Sequence, residues 1–150
     1  MKIKSLLLPL LLLANLAQAE MSRDNTKEVV IDDEKGLMWQ DNKDVKLIQK
    51  DWQRAKSYCE DLNLGGYSDW RLPNIDEMVS TAEASKYAIS IAADFKNTID
   101  NDYWTSTDMQ GNKGLIAWLI FFGQDTISIA PGHKMNKLYI RCVRSNMNSK

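Results

Sequence analysis

The chain predicts an α+β domain, and three observations carry that prediction. Two apolar stripes at helical spacing lie close together between residues 52 and 82. Two short β-rich runs precede them, at residues 29–31 and 37–40. Further β-rich runs follow from Tyr103 to Val143, separated by glycine and polar turns. A strand pair, then helices, then a series of strands is the order of a segregated fold with a mainly antiparallel sheet.

Residues 1–19 read as a secretory signal peptide. Lys2 and Lys4 give a positive start, Leu6 to Leu13 an apolar run broken only by Pro9, and Ala17-Gln18-Ala19 a small-x-small cleavage site. That run is too short to span a bilayer, and no later run is long enough. Residues 20–28 are polar and read as a flexible N-terminus. Val29-Val30-Ile31 and Leu37-Met38-Trp39-Gln40 read as a hairpin closed by the turn 32–36. Asp41 to Gln49 is a charged connection.

The first helix is expected from Asp51, its N-cap, to Leu62. Trp52, Ala55, Cys59 and Leu62 recur at spacings of three and four, so they share one buried stripe. Gly65-Gly66 stops that helix and opens the densest block of the chain, GGYSDWRLPNIDE. Within it Pro73 precedes Asn74, and Glu77 lies three residues beyond Asn74, which is a capping-box spacing. Ile75, Met78, Val79 and Ala82 then form the second helix's apolar stripe. The pattern weakens from Ser85 to Ala93.

Tyr103 to Thr107 reads as a strand with Trp104 in the core, and with Tyr103, Thr105 and Thr107 alternating to the other, exposed face. Leu115 to Phe122 is apolar on both faces, as a central strand is. Gly123-Gln124-Asp125 turns into a strand at Thr126 to Ile129. Pro131 to Lys137 reads as a polar loop. Leu138 to Val143 is the last strand, which gives one domain over 29–144 and a polar tail over 145–150.

The full chain carries 19 basic and 20 acidic side chains. Without Lys2 and Lys4 the balance is 17 against 20, a net charge of −3. That argues against nucleic acid, whose binding rests on clustered cations. The two cysteines, Cys59 and Cys142, are an even pair in an exported chain, which reads as a disulfide. A reactive thiol or a metal-ligand pair is the alternative, and neither cysteine has a CxxC partner or a nearby histidine. The sole histidine, His133, lacks the partners of a triad or zinc site.

Several of these residues also carry a resemblance. They are Gly36-Leu37-Met38-Trp39, Trp52, Tyr58-Cys59, Gly66-Tyr67-Ser68-Asp69-Trp70-Arg71-Leu72-Pro73, Glu77, Tyr103 to Thr107, Trp118, Phe122-Gly123 and Tyr139 to Arg144. In this order they resemble the bacterial exported family typified by the C-terminal domain of a collagen-like adhesin, the Lcl C-terminal domain. The resemblance implies a C-type-lectin-like fold, related to that of formylglycine-generating enzymes, with a disulfide from the first helix to the final strand. It also implies binding of sulfated glycans and trimer formation, although most members have no assigned function. Trp39, Trp52, Asp69, Trp70, Arg71, Pro73, Glu77, Trp104, Trp118 and Arg141 are the structural signature.

Function is then expected to be non-enzymatic binding of a glycan or of an extracellular or envelope protein, with an oligomer open. The long loops over 85–114 are the expected ligand region, since loops on a rigid scaffold carry function. Asp100, Asp102, Tyr103, Thr105 and Thr107 are the candidate contacts. Asp69, Trp70 and Arg71 read as structural rather than ligand-facing, with Arg71 paired to a carboxylate. No cofactor is expected. Calcium is the one candidate, with Asp94, Asp100, Asn101, Asp102 and Asp108 as oxygen donors, but the sugar-binding motifs of calcium-dependent lectins are absent. The alternatives are an oxidase of the formylglycine-generating type and a structural subunit of a periplasmic assembly.

Overall fold

The computed structural model describes residues 21–84 and 89–146. The signal-peptide reading of 1–19 lies outside them, as does most of the tail. The strands in chain order are β1 (Met21–Asp24), β2 (Val29–Asp32), β3 (Leu37–Gln40) and β4 (Gln49–Lys50). Helices α1 (Trp52–Glu60) and α2 (Ile75–Ser80) follow, then β5 (Ala82–Ala84) and β6 (Ile89–Ile91). The second half holds β7 (Asn101–Asp108), β8 (Ile116–Phe122), β9 (Ile127–His133), β10 (Leu138–Tyr139) and β11 (Val143–Ser145).

Two sheets share the core. One has the order β1-β2-β3-β11 and is antiparallel throughout. The other has the order β4-β10-β7-β8-β9, with β10 and β7 its one parallel pair. β5 and β6 form a separate two-stranded pair. The fold is α+β, with two helices on mainly antiparallel sheets and one disulfide.

Most of the local signals in the sequence act as expected. Asp51 caps α1 by accepting the Arg54 amide, and Asn74 and Glu77 form a complete capping box on α2. Gly65 and Gly66 turn with φ of +63° and +85°, a region that disfavours side chains. Cys59 and Cys142 form the disulfide, 83 residues apart in sequence.

Tertiary context changes four elements. Residues 21–24 are not frayed: they pair with β2, and Arg23 ion-pairs with Asp41. α2 ends at Ser80, so Val79 is exposed and Ala82 belongs to a strand. β9 runs on through Pro131 to His133, because it is an edge strand and Pro131 needs no ladder partner on its outer side. The run 138–143 is two strands, one in each sheet, with Ile140, Arg141 and Cys142 crossing between them.

The second sheet is packed on both faces, which decides the burial of its strands. Trp104, Ala117 and Leu119 enter one apolar cluster with Ala55, Cys59, Trp70 and Leu72. Tyr103, Ile120 and Phe122 enter the other with Trp39, Met78 and Phe95. Gly132 lets β9 approach this layer, since a Cβ there would stand 2.7 Å from Leu119 Cδ2.

Candidate functional site

The expected exposed face of β7 is not exposed. Tyr103 and Thr105 are fully buried, and Tyr103 enters the second apolar cluster rather than facing solvent. The Tyr103 hydroxyl bonds with the backbone of Ile99, and Thr105 Oγ1 donates to the Trp118 carbonyl at 2.6 Å. Thr107 is half-buried and its Oγ1 accepts the Ile75 amide at the start of α2. Asp100 is exposed, and Asp102 is half-buried with its carboxyl raised by burial. Asp108 pairs with Lys134 at 2.9 Å. Among the described residues no three His, Cys, Asp or Glu side chains converge as a metal site, so Asp94, Asp100, Asp102 and Asp108 form no cage.

The signature residues build the core and its pins. Trp39, Trp104 and Trp70 are buried, as is Pro73, while Trp52 and Trp118 are half-buried. The indoles of Trp52, Trp70 and Trp104 donate to backbone carbonyls of Thr105, Tyr67 and Lys50. Arg71 makes a bidentate pair with Glu77 at 2.6 and 2.8 Å. Burial raises the Glu77 carboxyl, but the Arg71 hydrogen bond, the Asn74 amide and the Arg71 charge outweigh it, and the net shift is downward. Arg144 grips Asp69 in the same bidentate manner and stacks 3.9 Å from the Tyr67 ring centroid.

One constellation has no counterpart in the sequence reading. Arg141 and Asp41 are both fully buried and paired at 2.8 Å. Arg141 also donates to the carbonyls of Gln40 and Asn97 and to Thr98 Oγ1. Asp41 further accepts the amides of Lys96 and Asn97. Burial pulls the Arg141 guanidinium down to about 10, so it is still the cation at neutral pH. These groups are enclosed and, apart from the Arg141 Nε, held by partners, which is the pattern of a structural clamp. Asp41 lay hidden in what reads as a charged connection, and only a lone acid beside an apolar strand marks it.

An open cleft of about 430 Å³ lies along the outer side of α1. The 3-10 turn Lys43–Lys46 contributes Asp44, and β4 contributes Lys50. α1 contributes Arg54, Ser57 and Tyr58, and the chain after it Asp61, Leu62 and Asn63. Arg54, Tyr58 and Asp61 follow the spacing of one helix face. Tyr58 is half-buried, and its hydroxyl accepts from Gln40 Nε2 at 3.0 Å. Burial raises the Tyr58 pKa, so its hydroxyl is protonated at neutral pH. The disulfide anchors the helix behind it. A smaller cleft of about 330 Å³ beside Lys35 and Glu77 borders the α2 capping box. Among the described residues, none between 89 and 114 lines either one.

The family model described as the Lcl C-terminal domain matches residues 28–144. The chain belongs to that family. β1 lies before the matched span. The disulfide expected of the family is present, from α1 to the segment that leads into β11. No curated protein sequence matches the chain. Among solved structures it is similar to "Crystal structure of EMS16, an Antagonist of collagen receptor integrin alpha2beta1 (GPIa/IIa)". The TM-score is 0.47 at 11% identity, over 82% of this chain and 94% of that one.

Proposed function

We propose that this Lcl C-terminal domain is an exported, non-enzymatic binding module that holds a glycan or protein ligand in the cleft along α1. One observation carries the reading. The cleft combines a half-buried tyrosine with several charged and amide side chains that have room for new partners, all on or beside one disulfide-anchored helix. A concave site with a few placed polar groups on a rigid element is what ligand binding requires. Export fits the disulfide, which persists in oxidising compartments. No helix among the described residues is long and apolar enough to cross a membrane. The oxidase alternative needs reactive thiols, and both cysteines of the chain are joined to each other.

The test is a glycan array and an envelope-protein pull-down on the disulfide-intact domain, followed by NMR shift mapping of any ligand found. Shifts clustered at residues 44–63 are expected. Shifts clustered at 100–108, or turnover of the ligand, overturn the reading.

A further inference from the structure

Two large apolar side chains are exposed on neighbouring loops. Leu115 is 50% exposed at the end of the β7–β8 loop, and Met135 is 74% exposed on the crossing from β9 to β10. The Lys134 amide donates to the Leu115 carbonyl at 2.9 Å, which joins the two loops. The Trp52 amide donates to the Lys134 carbonyl at 2.9 Å, which seats the crossing on the start of α1. Leu138, where the crossing ends, pairs with Lys50 of β4. Residues 49–56, 108–115 and 133–138 therefore share one side of the molecule.

That side is also basic. Its three segments hold six of the 17 basic side chains beyond residue 19 and two of the 20 acidic ones, a balance of +4, while the rest of the chain beyond residue 19 carries −7. Both acids are already paired, Asp51 with Arg54 and Asp108 with Lys134. Lys50, Lys56, Lys113 and Lys137 form no ion pair among the described residues. The ammonium groups of Lys134 and Lys56 lie 4.0 and 4.7 Å from the ring of half-buried Trp52.

Lysines alone suit any polyanion. The apolar tips narrow the choice, because a soluble polyanion leaves Leu115 and Met135 in water. An anionic bilayer takes up both: apolar side chains enter the headgroup layer, cations meet the phosphates, and an indole carrying a cation suits the interface between them. We infer that this side docks on an anionic phospholipid surface, with Leu115 and Met135 inserted and Lys113, Lys134 and Lys137 facing the headgroups. The inference is independent of the cleft along α1 being the ligand site.

Cosedimentation of the mature domain with vesicles tests it, using phosphatidylcholine alone and phosphatidylcholine with phosphatidylglycerol in equal parts. The mixed vesicles are expected to bind the domain, less so in high salt, and the neutral ones to leave it in solution. Lys113→Asn together with Lys137→Ser is expected to weaken binding about fivefold for each lysine; asparagine suits the φ of +51° at position 113. Leu115→Ser together with Met135→Ser is expected to weaken it at least about tenfold. All four side chains are exposed, and circular dichroism checks that the variants fold. Met135→Trp is expected to fluoresce less on mixed vesicles whose acyl chains are brominated. No binding to the mixed vesicles, equal binding to both kinds, or a serine variant that binds as well as the parent overturns the inference. So does an unquenched tryptophan at position 135, or binding of soluble dextran sulfate without binding of vesicles.

Discussion

Replacing Arg141 by methionine tests whether the buried clamp holds the two sheets together. Arg141 and Asp41 have side chains that are 0% exposed. One guanidinium nitrogen donates to the Gln40 carbonyl and Asp41 Oδ1, both at 2.8 Å. Another donates to the Asn97 carbonyl and Thr98 Oγ1, both at 2.9 Å. Methionine fills similar volume but leaves all four acceptors without this donor. Removing one partner of a buried pair costs about 3–5 kcal/mol. Asp41 keeps Arg23 and two backbone amides, so the lower end applies, about 3 kcal/mol. With a urea slope of about 2 kcal/mol/M, the unfolding midpoint falls by about 1.5 M. Asp41→Asn strands two cations and is expected to cost at least as much. The double variant is expected to cost less than the two singles combined, with a coupling of about 1–3 kcal/mol. A midpoint shift below about 0.5 M with unchanged slope, or an additive cycle, would refute the clamp.

Two further outcomes follow from the pins around the core. Reducing the Cys59–Cys142 bond without mutation opens a loop with a sequence separation of 83, and the chain-entropy relation puts the loss at about 4.5 kcal/mol. Guanidinium unfolding of oxidised and reduced protein measures it, and a loss under about 1 kcal/mol contradicts that account. For Glu77 the folded pKa lies below its ordinary 4.5, so its contribution is present above that value and is lost as pH falls through the folded pKa. Glu77→Gln is therefore expected to be less stable than the parent by about 1 kcal/mol at pH 7. That gap should close as the pH drops below about 4.5. Urea midpoints of both proteins from pH 7 to pH 3 check this, and a gap constant over the range rules it out.

What the sequence discloses divides by range. The Asn74–Glu77 box is read correctly because it depends on a few neighbouring residues; the Gly65-Gly66 stop is not, since α1 ends at Glu60 and the two glycines instead turn the chain between Leu64 and Tyr67. The pairing of Arg71 with a carboxylate is equally local, since Glu77 lies one turn beyond a capping residue. Tyr103 and Thr105 are misread because alternation says which residues share a face, and not whether a second layer covers that face. The break between β10 and β11 is invisible in Leu138 to Val143 for the same reason: one apolar run serves two sheets. Arg141 sits in that break, and its carboxylate lies 100 residues away, in a segment with no periodicity to single it out.

The cleft was overlooked for a different cause. Sequence reading looks for the apolar stripe of α1, Ala55 and Cys59, and leaves the opposite face as ordinary solvated polarity. Yet Arg54 and Asp61 are plain in the sequence, and once Asp51 marks the helix start their order conflicts with the dipole. Arg54 offsets that conflict by pairing with the N-cap Asp51 at 3.1 Å, so its place in the first turn serves the helix itself.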